Sequence, residues 1–139
     1  MASQLNPYLN FNGNARQALE FYASVFGGQP ALSTFADLGA TDSPDADRIM
    51  HGALETDAGY SIMAADVTSD MEYSAPAGFS ISLSGDAASG DDLRGYFESL
   101  GASGMITMPL QKQSWGDEFG MCTDSFGVPW MVNITAAQG

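Results

Sequence analysis

Apolar and polar residues alternate over positions 5–11, with Leu5, Pro7, Leu9 and Phe11 on one face and Asn6, Tyr8 and Asn10 on the other, which predicts a half-buried strand. Pro7 has no N–H to give a neighbour, so it belongs at the start of that strand or on an edge. The period then lengthens. Ala18, Leu19, Tyr22, Val25 and Phe26 recur at helical spacing and predict a helix over 14–26, with Asn14 as N-cap and Gly27 just past the end. A strand over 29–35 follows, then an acidic, proline-containing loop over 37–47. A hairpin comes next, its strands 49–56 and 60–65 joined by Asp57-Ala58-Gly59.

After a stretch over 66–78 rich in Asp, Ser, Pro and Gly, the order repeats. Phe79, Ile81 and Leu83 alternate with Ser80, Ser82 and Ser84 in a strand over 79–84. A helix over 89–100 then carries Leu93, Tyr96, Phe97 and Leu100 on one face and ends at Gly101. Moving 74 positions downstream carries Leu19 to Leu93, Tyr22 to Tyr96, Phe26 to Leu100 and Gly27 to Gly101. With a one-residue slip, Thr56-Asp57 matches Thr123-Asp124 and Gly59-Tyr60 matches Gly127-Val128. Strand, helix, strand and hairpin recurring in one order predict an α+β fold of two βαβββ modules. They would form a single domain, with repeats over about 1–66 and 78–139 and a linker near 67–77.

Composition narrows the function. With 139 residues, 45% of them hydrophobic, the chain can bury a core, which excludes disorder. A net charge of −13 repels phosphate backbones and anionic lipid, so neither nucleic acid nor membrane is an expected partner. No apolar run approaches the roughly 20 residues of a membrane span. The lone Cys122 cannot form an intramolecular disulfide, and no basic segment followed by an apolar run opens the chain, which together point to the cytoplasm.

Several motifs converge on one family. Pro7-Tyr8-Leu9-Asn10-Phe11, Gly13-Asn14-Ala15, Ala18-Leu19-Glu20-Phe21-Tyr22 and Val25-Phe26-Gly27-Gly28 resemble the opening of PhnB-like proteins of the vicinal oxygen chelate superfamily. Trp115-Gly116-Asp117, Phe119-Gly120, Asp124-Ser125-Phe126-Gly127-Val128 and Trp130 look like that family's C-terminal signature, and Met50-His51 sits where the family often has the same pair. The resemblance implies the glyoxalase/bleomycin resistance/dioxygenase fold, in which each module curls a mixed sheet around a cavity. It also implies a homodimer.

In superfamily enzymes such as glyoxalase I, the cavity holds a divalent metal on His, Glu or Gln side chains. By strand phase, the matching positions here fall near Asn6, Met63, Ser80 and Met131, none of them an ordinary ligand for such a metal. Neither a metal nor another cofactor is therefore expected. His51, the only imidazole, faces the cavity with Ala53 and Glu55 by phase. It is a weak candidate for a general base, and an alternative is a half-exposed His bonded to Glu55. Cys122 has no His near it in sequence and fits a buried small hydrophobe. Gly13, Gly27-Gly28 and Gly101 lack the spacing of a phosphate loop, and Asp37, Asp42, Asp45 and Asp47 lack that of an EF-hand.

What remains is a set suited to stacking and a few hydrogen bonds. Tyr8, Asn10, His51, Met63, Ser80, Ser82, Met131 and Asn133 project from the faces opposite the helices, with Gln111, Gln113 and Trp115 from the strand before the last hairpin. Such a set would hold a small neutral or cationic molecule, unless the same residues pack in a filled barrel. Three functions follow: a metal-independent binding module, a metal-dependent lyase, isomerase or dioxygenase, and a metal-free enzyme with His51 as base. Family members carry a methyltransferase label, but no glycine-rich nucleotide loop supports it here.

Overall fold

The first strand is shorter than its alternation predicts. In the computed structural model, which describes residues 3–136, β1 is Tyr8–Phe11. Leu5 lies outside it, fully exposed. Pro7 has no N–H to offer, and its carbonyl instead accepts the Met63 N–H at 3.1 Å. The first unit, Met1–Ser74, continues with α1 (Ala15–Phe26), β2 (Pro30–Thr34), a single 3-10 turn (Ala36–Leu38), β3 (Ile49–Glu55) and β4 (Ser61–Asp66). They form one four-stranded sheet in the order β1-β4-β3-β2, with β1 and β4 parallel and the other pairs antiparallel.

One cross-strand row, Leu9–Ala64–Gly52–Leu32, faces α1, and a Cβ on Gly52 would sit 2.5 Å from the Leu19 side chain. Helix and sheet are thus in direct contact at Leu19, which is fully buried together with Ala18 and Tyr22. Val25, expected on that face, is only half-buried. Asn14 precedes the helix but makes no side-chain cap bond. Asp66 takes that role from the end of β4, its Oδ1 accepting the N–H groups of Gly13 at 2.9 Å and Ala15 at 3.0 Å. Its Oδ2 accepts the Ile49 N–H at 2.9 Å.

The second unit, Ala75–Gly139, repeats this plan with β5 (Ile81–Gly85), α2 (Gly90–Ala102), β6 (Met105–Lys112), β7 (Glu118–Thr123) and β8 (Pro129–Ile134). Its sheet order is β5-β8-β7-β6, with β5 and β8 parallel. The strand begins later than alternation predicts, leaving Phe79 outside and about half exposed. Gly101, expected as a helix stop, lies inside α2, where a Cβ would come 2.8 Å from Ile106. It is a close-packing glycine, and the helix runs past it to Ala102. Tyr96 is half-buried where its counterpart Tyr22 is fully buried.

The two hairpins repeat at the level of hydrogen bonds. In the first, the Thr56 N–H donates to the Tyr60 carbonyl at 2.9 Å, the Gly59 N–H to the Thr56 carbonyl at 3.0 Å, and the Tyr60 N–H to Thr56 Oγ1 at 2.9 Å. In the second, the Asp124 N–H donates to the Val128 carbonyl, the Gly127 N–H to the Asp124 carbonyl, and the Val128 N–H to Asp124 Oδ1, each at 3.0 Å. Thr56 therefore corresponds to Asp124 rather than to Thr123. Gly59 and Gly127 sit at φ +88° and +85°, in the left-handed region that each turn requires. The fold is α+β, two βαβββ modules each built on a four-stranded mixed sheet.

Leu19 and Leu93 fill the same place on the two helices, at 0% and 2% exposure. Leu19→Ala and Leu93→Ala are each expected to lose about 2–5 kcal/mol in urea unfolding. Losses of less than about 0.5 kcal/mol, the range of surface substitutions, would contradict this packing.

Candidate functional site

Away from α1, the first sheet presents an open face. One row runs Tyr8–Met63–Ala53–Ala31 across all four strands. In the next row Asn10 pairs with Ala65, and Ser33 pairs with His51. His51 shares this face with Ala53 by alternation, and β3 carries a bulge just before it: Thr34 pairs with Ile49 and Ser33 with His51, leaving Met50 as the extra residue. Met50 is accordingly exposed rather than helix-facing.

The Tyr8 hydroxyl lies 3.3 Å from His51 Nδ1, a hydrogen bond whose donor is set by the imidazole tautomer. The two rings are 5.9 Å apart and tilted by 35°. His51 thus pairs with Tyr8 and not with Glu55. Four residues of extended strand separate His51 from Glu55 by roughly 13 Å, and the Glu55 carboxylate accepts the Ser61 hydroxyl at 2.7 Å. Tyr8, Asn10, His51 and Glu55 are all exposed to solvent.

The second sheet has the equivalent face. One row runs Ser82–Met131–Met121–Met108 and the next Ser84–Asn133–Phe119–Gln111. Ser82 and Met131 are direct partners, whereas Ser80 lies ahead of β5 and outside the sheet. The Asn133 amide donates to Asp117 Oδ2 at 3.2 Å. β6 ends at Lys112, so Gln113 and Trp115, expected on the strand, lie in the β6–β7 turn. The Gln113 amide donates to the carbonyls of Gln111 at 3.0 Å and Phe119 at 3.3 Å, so it is bound to its own hairpin. Trp115 is 62% exposed, its ring 6.3 Å from that of Phe119.

Met121, Met108 and Phe119 share this face and were missed by the sequence reading. Their signal was the alternation of Phe119, Met121 and Thr123 with Gly120 and Cys122 along β7. Tyr8, Asn10, His51 and Met63 thus belong to the first unit, and the other expected site residues to the second.

The superfamily's metal ligands find no match in these rows. Asn6 precedes β1, and the row of Met63 brings a phenol and alanines beside it, while the row of Met131 brings a hydroxyl and thioethers. Among the described residues no three His, Cys, Asp or Glu side chains converge. Thioethers and neutral hydroxyls are poor donors for zinc, nickel or manganese, so these residues do not fit such an ion.

The family model described as 3-demethylubiquinone-9 3-methyltransferase matches residues 3–133. The chain belongs to this family, the PhnB-like branch of the vicinal oxygen chelate superfamily. The PhnB-like chain is 31% identical to the protein YjdN of Escherichia coli K12 over 147 aligned positions, covering 96% of this chain and 97% of that protein. The crystal structure of PA1353 from Pseudomonas aeruginosa is similar at 36% identity and a TM-score of 0.84, with 98% and 100% of the two chains covered. A Bacillus cereus structure described as a putative 3-demethylubiquinone-9 3-methyltransferase, PhnB protein, shares the fold at 22% identity and a TM-score of 0.74, covering 96% of this chain and all of that one.

Cys122 lies on the helix-facing side of β7 and is 1% exposed. Burial first, and the nearby Asp124 charge second, push its thiol up to about 11. The folded state therefore favours the neutral thiol, and its stabilising contribution is full below the ordinary thiol range and is lost as pH rises through about 11. Alkylation by iodoacetamide at pH 8 is expected to be at least about tenfold slower in the native protein than in urea. Equal rates would show an accessible, reactive thiol.

Proposed function

We propose that this PhnB-like chain is a cytoplasmic, homodimeric binding protein that holds a small neutral or cationic molecule on the open sheet faces without a divalent metal. The observation that carries this reading is the make-up of those faces: aromatic, thioether, amide and hydroxyl groups line them, and among the described residues no three His, Cys, Asp or Glu side chains converge. On the first unit's face Tyr8 and His51 supply stacking surface and a polar handle, Met63 adaptable apolar contact and Asn10 hydrogen bonds; on the second unit's face Met131 supplies the apolar contact, and Ser82 and Asn133 the hydrogen bonds. Ser80, Gln113 and Trp115 remain in the proposed binding set, Trp115 as a second stacking surface near Phe119. The methyl transfer in the family's description is not part of this reading.

A second reading rests on the Tyr8–His51 contact. An imidazole that is solvent-accessible and oriented by a phenol is placed to take a proton from a bound molecule, with no metal involved. In that case His51→Gln would retain binding and lose turnover, whereas in a pure binding protein it would weaken binding alone.

Native mass spectrometry of untagged protein is expected to give twice the 14.6 kDa chain mass, with no bound zinc, nickel, manganese or iron and no tight uptake when each is added. A monomer at micromolar concentration would refute the dimer, and one tightly held metal per chain would restore the metal-dependent alternative. Benzyltrimethylammonium or benzyl alcohol, as cationic and neutral aromatic probes, should bind by calorimetry. Tyr8→Ala should weaken that binding by about tenfold, roughly one aromatic contact's worth. Unchanged affinity would remove Tyr8 from the site.

A further inference from the structure

The open face of the second sheet gathers thioethers. Met131 on β8 pairs with Met121 on β7, and Met121 pairs with Met108 on β6, so three methionines stand side by side across three adjacent strands. Met108 joins them because β6 departs from alternation. Ile106, two residues earlier, packs toward α2 at Gly101, and strict alternation would turn Met108 the same way. A register shift between Ile106 and Met108 sets Met108 opposite Met121 instead, and a second shift follows before Gln111. Bulges of this kind re-aim a side chain and are over-represented beside functional sites.

The surroundings of this row are neutral. The next rows supply Met105 and Thr123 on one side and Asn133, Phe119 and Gln111 on the other, none of them charged. The carboxylate that reaches this face, Asp117, is bound by the Asn133 amide at 3.2 Å and the Ala136 N–H at 3.0 Å. Lys112 and Glu118 pair one residue off, on the helix side. A hard divalent cation therefore meets no free oxygen anion in the row, whereas thioether sulfur is a soft ligand that selects Cu(I). Strands about 4.8 Å apart put Met131 and Met108 roughly 10 Å from each other with Met121 between them. The unbranched methionine side chain, with three rotatable bonds, lets the outer two sulfurs swing in over the middle one, to the spacing that three metal–sulfur bonds of about 2.3 Å require. Met121 and Met131 are half-buried and Met108 is exposed, so an ion reaches the sulfurs without unfolding. The net charge of −13 draws cations toward the chain.

We propose that Met108, Met121 and Met131 form a three-thioether site for Cu(I). The site goes beyond the binding reading above, which uses neither Met108 nor Met121 and would survive its failure. Cu(I), kept reduced by ascorbate under argon, and Ag⁺ as its redox-inert match are titrated in chloride-free buffer, with ¹³C-methyl methionine NMR as the readout. Saturation at one equivalent per chain is expected, the Met108, Met121 and Met131 signals shifting together and those of Met50 and Met71 staying in place. Zn²⁺ should move none of the three. Met121→Leu keeps the volume and loses the sulfur, so it should stay folded, and it should weaken Cu(I) by at least about tenfold, the loss that removing even a group behind a metal ligand causes. Cys122 is the competing soft donor, buried on the helix side of β7, and Cys122→Ala should retain the bound equivalent. Absence of saturable Cu(I) uptake, wild-type affinity in Met121→Leu, or loss of the ion in folded Cys122→Ala would each overturn the proposal.

Discussion

The first module depends on where the Asp66 carboxylate sits. It is 5% exposed, at the end of β4, and accepts N–H groups from Gly13, Ala15 and Ile49. Those donors belong to the turn after β1, the first turn of α1 and the first residue of β3. Each hydrogen bond to a buried charge is worth roughly 1.5–3 kcal/mol, and leaving such donors unmet costs a comparable amount. One side chain therefore ties three separate segments to the strand they flank. Arg48 extends the tie, donating to the Val67 carbonyl at 2.7 Å and to Asn12 at 3.1 Å. Because a one-residue slip turns every side chain of a strand over, the register of β3 on β4, with Gly52 opposite Ala64 and Ala53 opposite Met63, decides that His51 faces Tyr8 rather than the helix.

The second module reaches the same architecture with different chemistry. Its helix is led in by a short turn over Ala87–Ser89, where Asp86 accepts the Ser89 N–H at 3.2 Å. Its closing hairpin uses Asp124 where the first uses Thr56, and the longer acid also takes the Trp130 indole N–H at 2.9 Å. Turn geometry and core positions recur, while the groups that satisfy the backbone differ. Such duplication frees the sheet faces opposite the helices to carry different side chains: Tyr8 and His51 on one, a run of methionines on the other.

Most of the fold was legible in the sequence because burial and period are local. Leu19, Tyr22, Leu93 and Leu100 announce their helices, and each hairpin carries a glycine in its turn. The misplaced features depend on tertiary or cross-strand partners that periodicity does not show. Asn14 has the chemistry of a cap, but nothing in its neighbourhood reveals that a carboxylate more than fifty residues on will occupy the position. Gly101 looks like a stop because its need for space comes from Ile106, on the strand that follows the helix. The β6–β7 turn takes Gln113 and Trp115 off the strand for the same kind of reason, since β6 bears two register shifts that alternation cannot count. Among site residues, Tyr8 and His51 were placed on one face by phase alone. Their mutual contact needed β4 to pair with both β1 and β3, and the methionine row needed the pairing of β7 with both neighbours.

The central claim is that the open faces meet their ligand with aromatic and thioether groups and not through a divalent ion. Eight methionines make the chain suited to methyl NMR, and Met63 and Met131 stand in the rows of Tyr8 and Ser82. With ¹³C-methyl methionine, benzyltrimethylammonium should shift the Met63 or Met131 signal in a saturable way. One equivalent of paramagnetic Mn²⁺ should leave both sharp. Selective broadening of Met63 and Met131 by a single equivalent of Mn²⁺, with no response to the aromatic cation, would contradict it.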